Sequence, residues 1–269
     1  MRRFLDYRQI LNRKHPLNRG LVSEWVVLPG LAGGKYLFDI CGSNRGTLTN
    51  GPTWASPGGR PGGFGSLLFD GSNDEVRIAT SASLQPASTT VAMWVRVLAT
   101  NSVAFVVDDN GRGPQFYIPS GGQVRWLCAY TLSGSNIVTG SITINDGGWH
   151  RLMGTYQSGS GGALYVDGRP DGTFAVGTGD IPWAADDWVI GSNDGSLFFN
   201  GYADGLTAWN RAFTPAQAMQ EFCESRAGNP NRYNWLYPER MSYLEYVTKT
   251  VPIGINYEQY FSVQYQEQV

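Results

Sequence analysis

The sequence predicts an all-β chain: an antiparallel β-sandwich with one short C-terminal helix and extended N- and C-terminal arms. Three observations predict it. Short apolar or alternating runs recur along the chain and are punctuated by the turn-forming stretches DDNGRG, PSGG, LSGS, NDGG, SGSGG and VDGRPDG. The 35 glycines and 14 prolines, set among 9 Trp, 14 Tyr and 12 Phe, suit strands joined by tight turns. No helix-length apolar periodicity interrupts the strand pattern between residues 66 and 190.

In chain order, residues 1–20 hold six Lys/Arg against one acid, Asp6, and read as a basic arm, either solvated or docked on an acidic neighbour. The sandwich spans 21–223 and opens with the apolar strand 21–28. Residues 30–65, rich in Gly and Pro, read as a surface excursion. Strand patterns then cover 66–78, 91–97, 102–107, 115–118, 124–130, 136–144, 150–157 and 163–166. In the run from Val91 to Val97, Met93, Val95 and Val97 alternate with Trp94 and Arg96, so the two faces meet different surroundings.

The stretch from Asp187 to Phe222 organises the rest. Trp188, Val189 and Ile190 form a strand stub, Gly191 to Gly195 an acidic turn, and Phe198 to Trp209 a returning strand. Thr214 as N-cap and Pro215 at the first helical position start a helix to Cys223, with Ala218, Met219 and Phe222 expected towards the core. Beyond it, residues 224–269 carry nine aromatics and no aspartate. Alternating segments around Tyr257 and around Phe261 and Tyr265 read as strands needing a partner, in the same chain or in a neighbour. Tyr233, Trp235, Tyr237, Tyr257, Phe261 and Tyr265 are the expected assembly anchors.

Charge and motif content narrow the function. A formal charge of −2 gives no electrostatic case for a nucleic-acid partner. No apolar run approaches the ~20 residues of a membrane span. The N-terminus lacks the apolar core of a secretion signal, so synthesis without classical export is expected. Cys41, Cys128 and Cys223 read as reduced thiols. Gly-x-Ser-x-Gly, His-Glu-x-x-His and a phosphate-cradling glycine loop are absent, as is a Glu-x-Asp-x-x-Glu string with paired carboxylates on one strand face. His150 reads as a structural hydrogen-bonding residue, and no enzyme is expected.

Gly201, Ala203, Asp204, Leu206, Ala208, Trp209, Asn210, Arg211, Ala212, Phe213 and Thr214 match, in order, the closing segment of laminin-G-like, concanavalin A-like jelly rolls. Leu68 to Val76 (LFDGSNDEV) and Trp149-His150-Arg151 leading to Leu164 to Arg169 extend the match. The chain thus resembles laminin-G-like jelly-roll proteins of the bacterial and prophage-encoded single-domain type over about residues 20–223. That resemblance implies calcium as a cofactor at Asn73 and Asp74 with Asn193 and Asp194, set against a reading of both pairs as tight turns. It implies carbohydrate stacking on Trp54, Trp126 and Trp183, with Trp188 nearby in sequence, set against a packing role for each tryptophan. The expected function is a non-enzymatic binding protein: a virion component, capsid decoration or tail, attached to shell subunits or to itself through its arms. The alternative is an exported carbohydrate-binding lectin-like module at the cell surface or outside the cell. The first is favoured because it accounts for both arms.

Overall fold

The computed structural model describes residues 11–27, 34–55, 59–107, 113–128, 136–175, 180–181, 183, 186–193, 195–228 and 232. The described strands are β1 (Leu21–Trp25), β2 (Tyr36–Leu37), β3 (Gly46–Thr49), β4 (Thr53–Ala55), β5 (Ser66–Asp70), β6 (Glu75–Ile78), β7 (Thr89–Ala99) and β8 (Ser102–Val107). They continue with β9 (Gln115–Ile118), β10 (Gln123–Leu127), β11 (Ile137–Thr143), β12 (His150–Gln157), β13 (Gly161–Val166), β14 (Arg169–Phe174), β15 (Trp188–Ile190) and β16 (Asn200–Trp209). One α-helix, α1 (Pro215–Arg226), follows.

The strands form two antiparallel sheets. The first has the order β14-β13-β12-β7-β16-β5-β4, with β1 sharing the flank of β16: residues 200–203 of β16 pair with β5, and 206–209 with β1. The second has the order β11-β10-β9-β8-β15-β6-β3-β2. Between them lies one apolar core containing Trp25, Phe69, Phe105, Phe116, Trp126 and Trp188. Alternation produces this: in β6, Val76 and Ile78 enter the core while Glu75 and Arg77 do not. Turn chemistry sets the register, as where Asp167 and Gly168 both adopt positive φ (52° and 74°) in a two-residue turn between β13 and β14.

The outward face of the first sheet is covered over part of its length. Helix α1 starts with a capping box, Thr214 Oγ1 accepting from the Gln217 N–H and Gln217 Oε1 from the Thr214 N–H, a device that contributes about 1 kcal/mol. The helix lies over Gly168, where a Cβ would come within 3.0 Å of Met219 Cα and Phe222 Cβ. Its buried face is Ala218, Glu221 and Ser225, whereas Met219 is exposed and Phe222 half-buried against Trp94. The expectation that Met219 points coreward is therefore corrected, and the helix runs to Arg226 rather than stopping at Cys223. A carboxylate occupies the inner position because Arg151 meets it there, Nη2 to Oε1 at 2.6 Å and Nε to Oε2 at 3.1 Å.

Arg151 belongs to a buried layer of charge between sheet and helix. Arg60 Nε lies 2.8 Å from Asp204 Oδ2 and donates through Nη1 to the Ser225 carbonyl, while Arg232 reaches Glu24 and lies 3.8 Å from Glu221 Oε1. Three guanidinium groups thus face three carboxylates, which is how charge is retained out of water. Burial pushes the Asp204 carboxyl up, against the opposing pull of Arg60 and the Val27 N–H.

Two boundaries drawn from sequence shift accordingly. Residues 11–19 are fold rather than arm: Leu17 is fully buried, its carbonyl accepts from Trp209 Nε1, and Arg211 donates to the Arg19 and Pro16 carbonyls. Arg232, in the expected C-terminal arm, is likewise enclosed. The excursion 30–65 contains β2, β3 and β4, and the sequence VDGRPDG turns directly into β14.

Candidate functional site

The β6–β7 connection, the approach to β15 and the β2–β3 loop meet at one end of the sandwich. Trp183 lies half-buried there. Its ring stacks on the buried Trp188 ring at 6.4 Å and 12°, and its Nε1 donates to the Pro86 carbonyl at 2.9 Å. The near-parallel contact braces the half-buried Trp183 indole against the core. The ring is fixed at its polar edge as well, so it loses little freedom when a ligand covers it.

Polar groups are linked around that ring. Gln85 Nε2 donates to Thr80 Oγ1, and the Thr80 N–H donates to Asp187 Oδ1. Beside them Asn44 Nδ2 donates to Ser23 Oγ and Ser83 Oγ, and Ser81 Oγ donates to Asn44 Oδ1. The set is anchored from below, because Trp25 Nε1 donates to the Asn44 carbonyl. Hydroxyls and amides with a carboxylate beside an aromatic face are what a polyhydroxylated ligand needs: an apolar face to stack on and exchangeable donors and acceptors at its rim.

The other two tryptophans singled out from sequence are placed elsewhere. Trp54 lies half-buried on β4, packs on the core, and donates Nε1 to the Gly34 carbonyl. Trp126 is fully buried and corrects its expected role: its ring reaches from the second sheet to the first, lies tilted 4.7 Å from the Phe116 ring and donates Nε1 to the Thr155 carbonyl. It presents no face to solvent. The three tryptophans do not form one platform. Thr80, Ser81, Ser83, Gln85, Asn44 and Asp187 were not singled out, although the run SASLQP carries their signal as a cluster of small hydroxyls and an amide.

The two Asn-Asp turns are neighbours, because β15 pairs with β6. Glu75 Oε1 joins them, accepting from Ser192 Oγ at 2.5 Å and the Gly195 N–H at 3.1 Å. Their oxygens are largely spent. Asp74 Oδ2 accepts from the Asp70 N–H, the Asn73 carbonyl from Asn50 Nδ2, and Asn193 Oδ1 from Gln115 Nε2. Desolvation pushes the Asp74 carboxyl above its usual range. Among the described residues no three acidic, imidazole or thiol groups converge, and Asp194 lies outside the described residues. The assembly anchors Tyr233, Trp235, Tyr237, Tyr257, Phe261 and Tyr265 lie outside them too.

His150 is held from both sides, Nδ1 2.9 Å from Asp167 Oδ2 and Nε2 3.0 Å from Asp146 Oδ1. Those two carboxylates raise its pKa above the usual 6.5, the hydrogen bond to Asp167 first and burial opposing. An imidazole with both nitrogens engaged is an orienting group.

Residues 70–219 match the sequence model of the concanavalin A-like lectin/glucanases superfamily, in its third laminin-G form. The match spans more than half of the chain, and the chain belongs to that superfamily. No curated protein sequence matches it. Among solved structures it is similar to the binding domain of Paraclostridial Mosquitocidal Protein 1, with a TM-score of 0.61 and 16% identity over 77% of this chain and 52% of that one. The binding domain of Botulinum neurotoxin DC, solved with rat synaptotagmin II, gives a TM-score of 0.59 and 12% identity over 77% and 52%. Domain 4 of AbnA, an extracellular arabinanase from Geobacillus stearothermophilus solved with arabinotriose, gives 0.56 and 17% over 74% and 97%. The chain thus spans about half the length of the toxin binding domains and nearly all of the arabinanase domain. The fold is that of the concanavalin A-like lectin/glucanase jelly rolls.

Proposed function

We propose that this chain is a non-catalytic glycan-binding module whose platform is Trp183. The observation that carries the reading is the stack of Trp183 on Trp188, with the indole N–H fixed on Pro86 and hydroxyl and amide groups at its rim. The arabinotriose complex of the similar arabinanase domain supports a neutral oligosaccharide as the ligand class. Titration calorimetry against arabino-, xylo- and gluco-oligosaccharides tests it. One series is expected to bind, with Trp183→Ala weakening it about tenfold or more and Trp54→Ala leaving it within about threefold, since stacking of a flat ring on an aromatic, as for nucleobases, is worth on the order of 1–3 kcal/mol. Equal binding by wild type and Trp183→Ala would overturn the platform.

We further propose that the module is displayed on a larger assembly, a virion in the first instance, with presentation at a cell surface as the alternative. The Asn12 N–H and Asn18 Nδ2 both donate to the Arg232 carbonyl at 2.8 Å, so residues 12, 18 and 232 meet at one place on the sandwich. Anchoring Asn12 and Arg232 side by side suits attachment in one direction. Light scattering on the full chain and on a chain ending at Arg232 tests this: assembly by the full chain alone supports it, and assembly by both removes the C-terminal segment as connector. Calcium stays a proposal resting on Asp194, tested by melting wild type and Asp194→Ala with and without calcium; curves that calcium shifts in neither remove the ion.

A further inference from the structure

We propose that the uncovered end of the first sheet's outward face is a second sugar site, built on Trp149, Tyr202 and Arg96 and selective for a carboxylate-bearing, uronate-type residue of a glycan. Cross-strand register places Arg96 of β7 beside Tyr202 of β16, Tyr202 beside Leu68 of β5, and Leu68 beside Thr53 of β4. Their chain neighbours Val95, Val97, Ala203, Leu67 and Phe69 enter the core, so this row faces away from it. Trp149, just before β12, joins the row with its ring 6.2 Å from that of Tyr202 and inclined at 54°.

Helix α1 and the buried charge layer stop short of this row. Two residues away along β7 and β16, Trp94 and Asp204 are buried against Phe222 and Arg60. In the row itself Trp149, Arg96, Tyr202 and Leu68 are half-buried, Thr53 is exposed, and the neighbouring Leu98 is 52% exposed. Every member therefore reaches solvent, and the surface is continuous from strand to strand.

Arg96 is held at one edge and left open at the other. Its Nε donates to the Gly147 carbonyl at 2.8 Å, and its guanidinium lies 5.6 Å from the Tyr202 ring centroid. Among the described residues no carboxylate pairs with it and nothing accepts from Nη1 or Nη2; Asp146, next to Gly147, is taken by His150 and the Gly148 N–H. Trp149 Nε1 and the Tyr202 hydroxyl have no hydrogen-bond partner among the described residues either. The other half-buried tryptophans differ, since Trp54 and Trp183 spend their N–H groups on the Gly34 and Pro86 carbonyls. A braced guanidinium with both terminal nitrogens open matches a planar carboxylate through two parallel N–H···O bonds. The inclined rings beside it give a sugar an apolar surface to rest on, with a free N–H and a free hydroxyl at the rim.

Area decides between a sugar and a protein as the occupant. The row crosses three strand spacings, about 14 Å, and with Leu98 extends about 7 Å along the strands, an area on the order of 100 Å². A stable protein partner needs about 800 Å² on each side, so the patch suits a short stretch of glycan. The choice of a sugar rests on the glycan-binding reading above, and the choice of a carboxylate rests on Arg96.

Titration calorimetry of the full chain with tetragalacturonate and with its methyl ester tests this, because esterification removes the charge and keeps the sugar. Wild type is expected to bind the acid about tenfold more tightly than the ester. Arg96→Gln is expected to erase that preference while leaving the ester's affinity where it was, a pattern that a merely structural loss would not give. Trp149→Ala is expected to weaken both ligands about tenfold. Trp183→Ala is expected to weaken the neutral oligosaccharide and keep the acid, so failure of the edge platform and failure of this site are read separately. Equal affinity of wild type for acid and ester, or a preference that survives Arg96→Gln, overturns the proposal. Displacement of the acid by an equal concentration of inorganic sulfate overturns the sugar as occupant and leaves a simple anion site.

Discussion

Arg232 Nη2 donates to Glu24 Oε2 at 3.0 Å although 208 residues separate them, and both side chains are buried. Arg232 Nε also donates to Asn18 Oδ1, so one side chain ties the C-terminal segment, the first strand and the N-terminal segment together. A chain ending at Gly228 is expected to melt about 10 °C below a chain ending at Arg232. Removing one partner of a buried ion pair costs about 3–5 kcal/mol, and each kcal/mol moves a domain of this size about 2–4 °C. Thermal unfolding by circular dichroism checks it. Coincident curves would mean that Glu24 and Glu221 need no partner from this segment.

Trp126 and Gly154 make a second pair that only the assembled sandwich reveals. A Cβ at Gly154 would overlap the Trp126 ring, so the first sheet leaves a gap that the indole of the second fills. Gly154→Ala is expected to destabilise by about 1–3 kcal/mol, as overpacking does. Adding Trp126→Phe should recover part of that loss, because residues in contact do not act additively. Denaturant unfolding of both single variants and the double variant measures the coupling; a strictly additive double variant would show that the two do not share the space.

Where the sequence was legible, one local rule decided each element. The strands 102–107, 115–118 and 150–157 were read at their observed limits because short apolar or alternating runs are bounded there by turn signals, and Thr214-Pro215 located the helix start by its cap. β2, β3 and β4 were not legible, since strands of two to four residues give too few positions for a period to register. β14 was missed because its sequence RPDGTF is polar, as befits an edge. Asp171 there accepts from Ser141 N and Oγ and Ile142 N and so occupies the open edge of β11. The inward Glu221 was not legible for another reason: a charged helical residue points to solvent unless a partner waits inside, and Arg151 lies 70 residues away. At the candidate edge Trp183 was nameable from composition. Its platform role depends on Trp188 behind it and Pro86 beside it, which only folding brings together.

His150, clamped between Asp167 and Asp146, makes stability depend on pH in a stated direction. Its folded pKa is raised above the ordinary 6.5, so the contribution of the imidazolium is full below that value and is lost as pH rises through the folded pKa. Asp146 behaves oppositely: the hydrogen bond from His150 first, then the Gly148 N–H, lower its pKa from 3.8, so its contribution is present above that value and lost as pH falls through the folded one. The Asp146 side chain is 63% exposed, and solvent screening makes its share small. His150, with a side chain 12% exposed, dominates. Stability is therefore expected to be greatest between about pH 4 and 6.5 as far as this cluster is concerned, and to decline on the alkaline side by about 1 kcal/mol, or about 2–4 °C. His150→Asn should lower the melting temperature at pH 5.5 and flatten the wild-type decline between pH 6.5 and 8.5. Melting curves of both proteins across that range check it, and parallel profiles would assign the pH dependence to another group.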